Sequence, residues 1–203
     1  MSFPVDKIKL IVTELNTVGI TDKKLQAGIL SKIWTETRFI PKVETGYSKT
    51  PNAQIRKIFG SRVSSYSEDQ LTKLKSSDEA FFNVVYAGLY GNCKNDGYKY
   101  RGRFFNQLTF KANYERYGKL IGIDISSAPD KFNSDVTVSA KIAAAYFKDR
   151  MNGIDLSPFN SLDGAALLML RLNAGWGTDV TTTFYKDLLK EQTKVVRDLF
   201  ALI

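Results

Sequence analysis

The sequence predicts a mainly α-helical protein with an irregular or short β segment in its middle. Apolar residues recur at helical spacing along most of the chain. Residues 91–109 lack that spacing and begin with a run of turn-forming residues. No internal repeat and no low-complexity linker interrupts the 203 residues. We therefore expect one domain over residues 1–203.

Two helices are predicted at the start of the chain. The first ends before Gly19, and Thr21 can cap the second, which leads toward Pro41. Proline cannot continue a helix, so the second helix should end in that region. The apolar residues that define the two helical faces are Val5, Ile8, Ile11, Leu15 and Val18, then Leu25, Ile29, Ile33 and Trp34.

The irregular segment lies between two further groups of helices. The chain is strand-like or irregular over residues 98–109, and Pro129 breaks it again. The stretch at 161–172 is strongly apolar and should be buried. The predicted helices are 52–60, 68–90, 110–121, 135–151, 161–172 and 179–202.

The composition excludes several kinds of functional site. The chain has no histidine, which removes His-based catalytic triads, His general bases and the usual zinc site. Cys93 is the single cysteine and cannot form an intramolecular disulfide. We expect no metal and no other cofactor. No apolar run reaches the length of a membrane span, so stable membrane insertion is not expected.

The chain is basic, with 29 Lys and Arg, 21 Asp and Glu, and a formal charge of +8. Such a surface favours anionic partners: nucleic acid, acidic lipid or an anionic cell wall. The lysines are scattered, with no Arg-rich run or nucleic-acid motif, so no nucleic-acid binding is predicted. From charge alone, a solvated surface without a specific partner is the simplest interpretation.

Glu36 and Glu44 are candidates for acid and base chemistry. Glu36 lies near the end of a predicted helix beside Ile33 and Trp34, and Glu44 lies in a polar loop beyond Pro41. Apolar surroundings disfavour the charged form of a carboxyl, whereas a polar loop favours it. Glycoside hydrolysis needs two such carboxyls. Two ordinary surface glutamates would explain this segment on its own more simply.

The segment 97–114 offers groups that could hold water and sugar hydroxyls. Tyr98 and Tyr100 have ring faces on which a sugar could stack. Gly102, between two arginines, suggests a close backbone turn. A buried polar turn that satisfies its own backbone is the alternative. The amide and hydroxyl side chains are Gln107, Thr109 and Asn113.

This segment resembles a signature of glycoside hydrolase family 19, the chitinase-like family that includes phage endolysins. The signature is Tyr-Arg-Gly-Arg-Gly-x-x-Gln-Leu-Thr-x-x-x-Asn-Tyr. Upstream, residues 82–92 resemble the preceding segment of the phage members, and Leu172-Asn173-Ala174-Gly175 resembles a later Ile-Asn-Gly-Gly. The resemblance covers about residues 25 to 180. The signature matches at Tyr100, Arg101, Gly102, Arg103, Gln107, Leu108, Thr109, Asn113 and Tyr114.

The resemblance implies a role for each matched residue. Glu36 falls at the general acid and Glu44 at the general base of an inverting mechanism. Thr109 matches the hydroxyl residue that holds the attacking water. Arg103 could pair with a catalytic carboxylate or a substrate group, or form an ordinary structural salt bridge. The implied substrate-binding residues are Gln107, Asn113, Asn173, Tyr98, Tyr100 and Arg103.

Three positions depart from the family pattern. Thr35 replaces the usual His before the acid, Phe104 replaces a Gly after the second Arg, and Ala174 replaces a later Gly. Because the acid itself is kept, we interpret these as changes in support or substrate fit. They leave a non-catalytic member as an alternative.

The resemblance implies a lysozyme-like fold and an endolysin-like enzyme that cleaves β-1,4 bonds in the glycan strands of peptidoglycan. One alternative is a chitinase acting on chitin oligomers. Another is a non-catalytic glycan-binding or virion structural protein with the same fold. The absence of a disulfide framework and of a Cys-rich chitin-binding module favours the phage branch.

The expected setting follows from the first residues and the charge. The start of the chain lacks the apolar centre of a signal peptide. We expect a monomer held in the host cytoplasm until its release to the cell wall, or carried by the virion. Its positive charge should then attract it to the anionic cell envelope.

Overall fold

The computed structural model describes residues 2–203 and confirms a mainly α-helical fold. The chain divides into two compact units, Met1–Pro41 with Ser134–Ile203, and Lys42–Asn133. The expectation of a single domain over 1–203 stays a prediction. The helices are α1 Val5–Thr17, α2 Lys23–Thr37, α3 Asn52–Phe59, α4 Glu68–Lys75, α5 Asp78–Val85, α6 Lys111–Ile121, α7 Val136–Arg150, α8 Leu162–Ala174 and α9 Thr183–Phe200, and the strands are β1 Lys42–Val43 and β2 Arg103–Phe104.

The first unit consists of α1, α2, α7, α8 and α9. Helix α2 packs against α8 and α9, and α1 packs against α7. Gly28 of α2 allows a close approach to α8, because a Cβ there would lie 3.1 Å from the Ala165 Cβ and carbonyl oxygen. This packing fixes the C-terminal turn of α2, which carries Glu36, next to α8, which carries Asn173.

The N-terminus of α2 differs from the prediction by one residue. Asp22, not Thr21, is the N-cap, and its carboxylate accepts the backbone N–H groups of Lys24 and Leu25. A carboxylate there satisfies two of the free N–H groups and interacts favourably with the helix dipole. The helix ends at Thr37 because Arg38 adopts a left-handed conformation with φ 55°.

The second unit contains α3 to α6 and the two strands. One apolar cluster of this unit consists of Ile55, Val63, Leu71, Phe81, Phe82 and Val85, and partly buried, mostly aromatic residues pack against it. The single helix predicted over 68–90 is wrong, because Ser77 caps a new helix by accepting the N–H of Ala80. Two helices, α4 and α5, take its place.

The short β element is confirmed as an antiparallel pair in the second unit. Lys42 of β1 lies opposite Phe104 of β2, and Val43 lies opposite Arg103. Although β2 is 61 positions beyond β1 in the sequence, the pairing joins the chain around Glu44 to the signature segment. Both candidate regions of this unit are therefore positioned by one sheet.

Across residues 2–203, the helices all fall short of the length and apolarity that crossing a lipid bilayer would require.

Candidate functional site

In the first unit, Glu36 lies in the last turn of α2, as predicted. The Lys32 ammonium, one helical turn earlier, donates to Glu36 Oε1 and forms an ion pair with it. The same ammonium donates to Asn173 Oδ1 of α8 at 2.9 Å. The structure thus joins two of the predicted site residues, Glu36 and Asn173, through a lysine that the sequence analysis did not single out.

Thr35, at the position where the family has His, does not take part in this arrangement. Its hydroxyl donates to the Ser31 carbonyl at 2.9 Å, a bond back along the helix. The side chain is exposed. The support that Glu36 receives within α2 therefore comes from Lys32.

In the second unit, Glu44 follows β1 directly and continues its pairing. The Glu44 N–H donates to the Gly102 carbonyl at 2.7 Å, and the Gly102 N–H donates to Glu44 Oε2 at 3.1 Å. A Cβ at Gly102 would lie 3.3 Å from Glu44 Oε2 and 3.0 Å from Gln107 Oε1. Glycine at this position therefore lets the Glu44 carboxylate and the Gln107 amide approach one backbone segment.

Two tyrosine hydroxyls also donate to Glu44. Tyr47 Oη lies 3.0 Å from Glu44 Oε1, and Tyr86 Oη lies 2.9 Å from Oε1 and 3.2 Å from Oε2. Burial, followed by the charge of Glu44 and its hydrogen bond, raises the pKa of Tyr47 to about 12. The same causes raise the pKa of Tyr86 well above its ordinary value. Both hydroxyls consequently remain protonated donors around neutral pH.

The loop that carries Glu44 is fastened to α4 and α5. The Gly46 N–H donates to Asp78 Oδ2 at 2.9 Å, and a Cβ at Gly46 would lie 1.7 Å from Asp78 Oδ1. The buried Lys75 ammonium donates to the Thr50 carbonyl. A side chain at position 46 would displace the Asp78 carboxylate from this hydrogen bond. The loop is held at both ends.

Three of the predicted residues lie together at the end of the signature segment. The Thr109 hydroxyl donates to the Gln107 carbonyl at 3.0 Å, and Asn113 Nδ2 donates to the Thr109 carbonyl at 2.7 Å. All three side chains are partly exposed. The Thr109 oxygen can still accept a hydrogen bond, as a water-holding role requires.

Arg103 needs correction as a substrate-binding residue. Its side chain is fully buried, and its guanidinium donates to Asn133 Oδ1 at 2.8 Å, Asp130 Oδ1 at 2.6 Å and the Lys99 carbonyl at 2.7 Å. Tyr114 Oη also accepts from it at 3.1 Å. The guanidinium therefore organises the loop from inside, where a glycan cannot contact it.

The two tyrosines predicted as sugar platforms differ. Tyr100 is 4% exposed, packs edge-on against Tyr114 and donates to the Ser126 carbonyl, so its assignment as a sugar platform is also corrected. Tyr98 is partly exposed, and the Arg101 guanidinium covers one of its faces at 3.9 Å from the ring centroid. Sugar contact by Tyr98 stays a prediction.

Phe104 explains why glycine is usual at that position of the signature. Its φ is 69°, in the left-handed region where a side chain is strained. Phe104 nevertheless is fully buried and packs on Tyr114 with ring centroids 5.9 Å apart. Burial of the aromatic ring is favourable and opposes the cost of the strained backbone.

The sequence analysis missed three residues that contact the candidate carboxylates. Lys32 lies four residues before Glu36, a spacing that could have identified it on a predicted helix. Tyr86 belongs to the matched segment 82–92 and was not assigned a role. Tyr47 lies three residues after Glu44 in a loop, where spacing alone identifies no contact.

Chemically, the structure holds the two glutamates in different ways. Glu36 has an ammonium partner on a helix, whereas Glu44 accepts from two hydroxyls and one backbone N–H. Such donors orient a carboxylate.

Comparison with known proteins supports the resemblance. The chain is 33% identical over 130 residues to a glycosyl hydrolase family 19 domain-containing protein of Haemophilus influenzae. The match covers 61% of this chain and spans about 60% of the relative's length. A search against family models found no match. The relative confirms the resemblance of this chain to glycoside hydrolase family 19.

Proposed function

We propose that this protein is an endolysin-like glycoside hydrolase that cleaves β-1,4 bonds in the glycan strands of bacterial peptidoglycan. Glu36 protonates the glycosidic oxygen as the bond breaks. Glu44 removes a proton from the water that attacks the anomeric carbon, which inverts the configuration. The similarity to a family 19 domain protein supports the reaction class.

The observation that carries this proposal is the set of hydrogen bonds that the Glu44 carboxylate accepts. Two tyrosine hydroxyls and the Gly102 N–H converge on the Glu44 carboxylate and hold it in one orientation. Thr109 and Gln107 lie on the same signature segment as Gly102. This arrangement suits a base that must meet a water in one geometry.

The cell-wall substrate rests on charge in addition to the family resemblance. The net charge of +8 would attract the protein to an anionic envelope once it is released from the host cytoplasm. The same machinery could hydrolyse chitin, and a non-catalytic member would bind glycan without cleaving it. These two alternatives are outcomes of the test below.

The test uses Glu36→Gln and Glu44→Gln, with Glu79→Gln as an exposed control. Purified peptidoglycan and soluble chitin oligomers are digested, and mass spectrometry identifies the new reducing ends. We expect cleavage of peptidoglycan, with losses of about 10²–10⁴-fold in each site variant and none in the control. Thermal unfolding must show that the variants are folded.

Three results would contradict the proposal. Preferential cleavage of chitin oligomers would replace the substrate. Binding of peptidoglycan without any new reducing end would indicate the non-catalytic alternative. NMR of a fresh digest determines the anomeric configuration of the product. A retained configuration would exclude Glu44 as the base of an inverting reaction.

A further inference from the structure

The Lys32 ammonium lies between two acceptors on different helices. It bonds Glu36 Oε1 within α2 and Asn173 Oδ1 on α8. An ammonium has three donors and rotates freely, so it can strengthen either bond as the charge of its partners changes. Glu36 changes charge when it gives up a proton, whereas the Asn173 amide does not. The lysine is thus placed to respond to the protonation state of Glu36.

The Lys32–Glu36 pair is less solvated than an ordinary surface ion pair. The Lys32 side chain is 18% exposed and the Glu36 side chain is 33% exposed. Partial removal from water strengthens the interaction between the two charges. Lys32 and Asn173 line a cavity of about 300 Å³, to which Arg38 of the α2 end and Glu191 of α9 contribute the other charged side chains.

We propose that Lys32 is a positioning residue that stabilises the carboxylate formed when Glu36 donates its proton. The inference rests on the proposed role of Glu36 as general acid. The Glu36 proton goes to the glycosidic oxygen as the C–O bond breaks, and Lys32 keeps its own protons throughout. While Glu36 is protonated, Asn173 Oδ1 is the acceptor that holds the ammonium. Lys32 thereby takes over support of the acid where Thr35 replaces the family's His.

The same bond leaves the Asn173 amide able to contact a substrate. Lys32 donates to Asn173 Oδ1, and the two Nδ2 hydrogens can donate to a sugar oxygen, such as an acetamido carbonyl, while Oδ1 keeps one lone pair.

The test compares Lys32→Met and Lys32→Arg with Lys24→Met. Lys24 is a matched control because it also lies on α2 and donates to an asparagine oxygen, that of Asn160 at 2.5 Å. For Lys32→Met we expect kcat on a soluble glycan to fall about tenfold, with KM changed less than about twofold. Lys32→Arg and the control should resemble the wild type.

A second measurement needs no catalysis. The ¹³C-carboxyl resonance of Glu36, assigned by its absence in Glu36→Gln, is compared between the variants at one pH. It should differ from the wild type in Lys32→Met and stay unchanged in Lys24→Met, because the Lys32 ammonium donates to the Glu36 carboxylate whereas that of Lys24 donates to Asn160. An unchanged resonance together with an unchanged kcat in folded Lys32→Met would overturn the inference. Full activity of Glu36→Gln would instead overturn the proposed acid, and the two failures are therefore distinguishable.

Discussion

The two candidate glutamates are supported by different kinds of structure. Glu36 lies on a helix and has a charged partner one turn away on the same helix. Glu44 lies in a loop and has neutral donors from three separate segments. A single charged partner can follow a change in protonation, whereas several fixed donors hold one orientation. The proposed acid and the proposed base therefore place different demands on the chain around them.

The first prediction tests the fixed donors of Glu44. Tyr86→Phe removes hydrogen bonds of 2.9 and 3.2 Å to the carboxylate, and Tyr47→Phe removes one of 3.0 Å. We expect kcat to fall about tenfold in each variant and further in the double variant, because Glu44 loses orientation.

Tyr66→Phe is the matched control for these variants. Tyr66 is partly buried against the same apolar core as Tyr47 and Tyr86. Its replacement should leave kcat unchanged. If folded Tyr86→Phe has the same kcat as Tyr66→Phe, hydroxyl donation to Glu44 does not contribute to the reaction. The different hydrogen-bond partners of Glu36 and Glu44 would then have no effect on activity.

The helical unit was the easier part to predict from sequence. Apolar periodicity predicted α1, α2, α7, α8 and α9, and helical spacing places Lys32 beside Glu36. The signals are local because each helix closes its own hydrogen bonds. The errors there are small, such as Asp22 in place of Thr21 as the cap.

The loop unit could be predicted only in part, because its contacts are distant in sequence. Tyr86 lies 42 residues from Glu44 and Gly102 lies 58 residues from it. The motif located the relevant segment but could not separate residues that support it from residues that reach its surface. Arg103 and Tyr100 match the motif and are buried. Burial depends on tertiary packing, which no short pattern records.

The second prediction concerns the buried arginine of the loop unit. Asp130→Asn removes a charged acceptor 2.6 Å from the fully buried Arg103 guanidinium. We expect the free energy of unfolding to fall by about 1 kcal/mol. This is the low end for a buried group that loses a partner, because water screens the Asp130 carboxylate, which is 65% exposed. Urea unfolding measures it. Asp163→Asn is the matched control: that carboxylate is equally exposed, but its partner Arg197 is 62% exposed.

The same pair predicts a dependence on pH. The hydrogen bond from Arg103 lowers the pKa of Asp130 below its ordinary value of 3.8. The stabilisation is therefore complete above that value and is lost as pH falls toward the lower pKa of the folded state. The Asp130→Asn variant lacks this component, so its stability should fall less on acidification. Equal losses of unfolding free energy in Asp130→Asn and Asp163→Asn would show that the burial of Arg103 does not strengthen its ion pair.

The last and smallest effect concerns charge. Residues 42–133 contain 15 Lys and Arg against 9 Asp and Glu, whereas the remaining chain contains 14 against 12. Most of the net positive charge therefore belongs to the unit that carries Glu44. Since charges farther apart than about 8–10 Å are screened at physiological salt, local charge should matter more than the total. A matched pair of triple Lys→Gln variants separates the effect of local charge from that of total charge.

One triple variant changes Lys57, Lys73 and Lys94 of the loop unit, and the other changes Lys9, Lys186 and Lys190 of the helical unit, all exposed. Both lower the net charge equally. We expect the loop-unit variant to lyse bacterial envelopes a few-fold more slowly at low salt, with a weaker salt dependence, because attraction to an anionic wall acts through the nearest charges. Hydrolysis of a neutral soluble oligomer should be the same for both. Equal slowing of envelope lysis by the two variants would mean that total charge alone governs attraction, and the electrostatic part of the contrast between the units would then have no functional consequence.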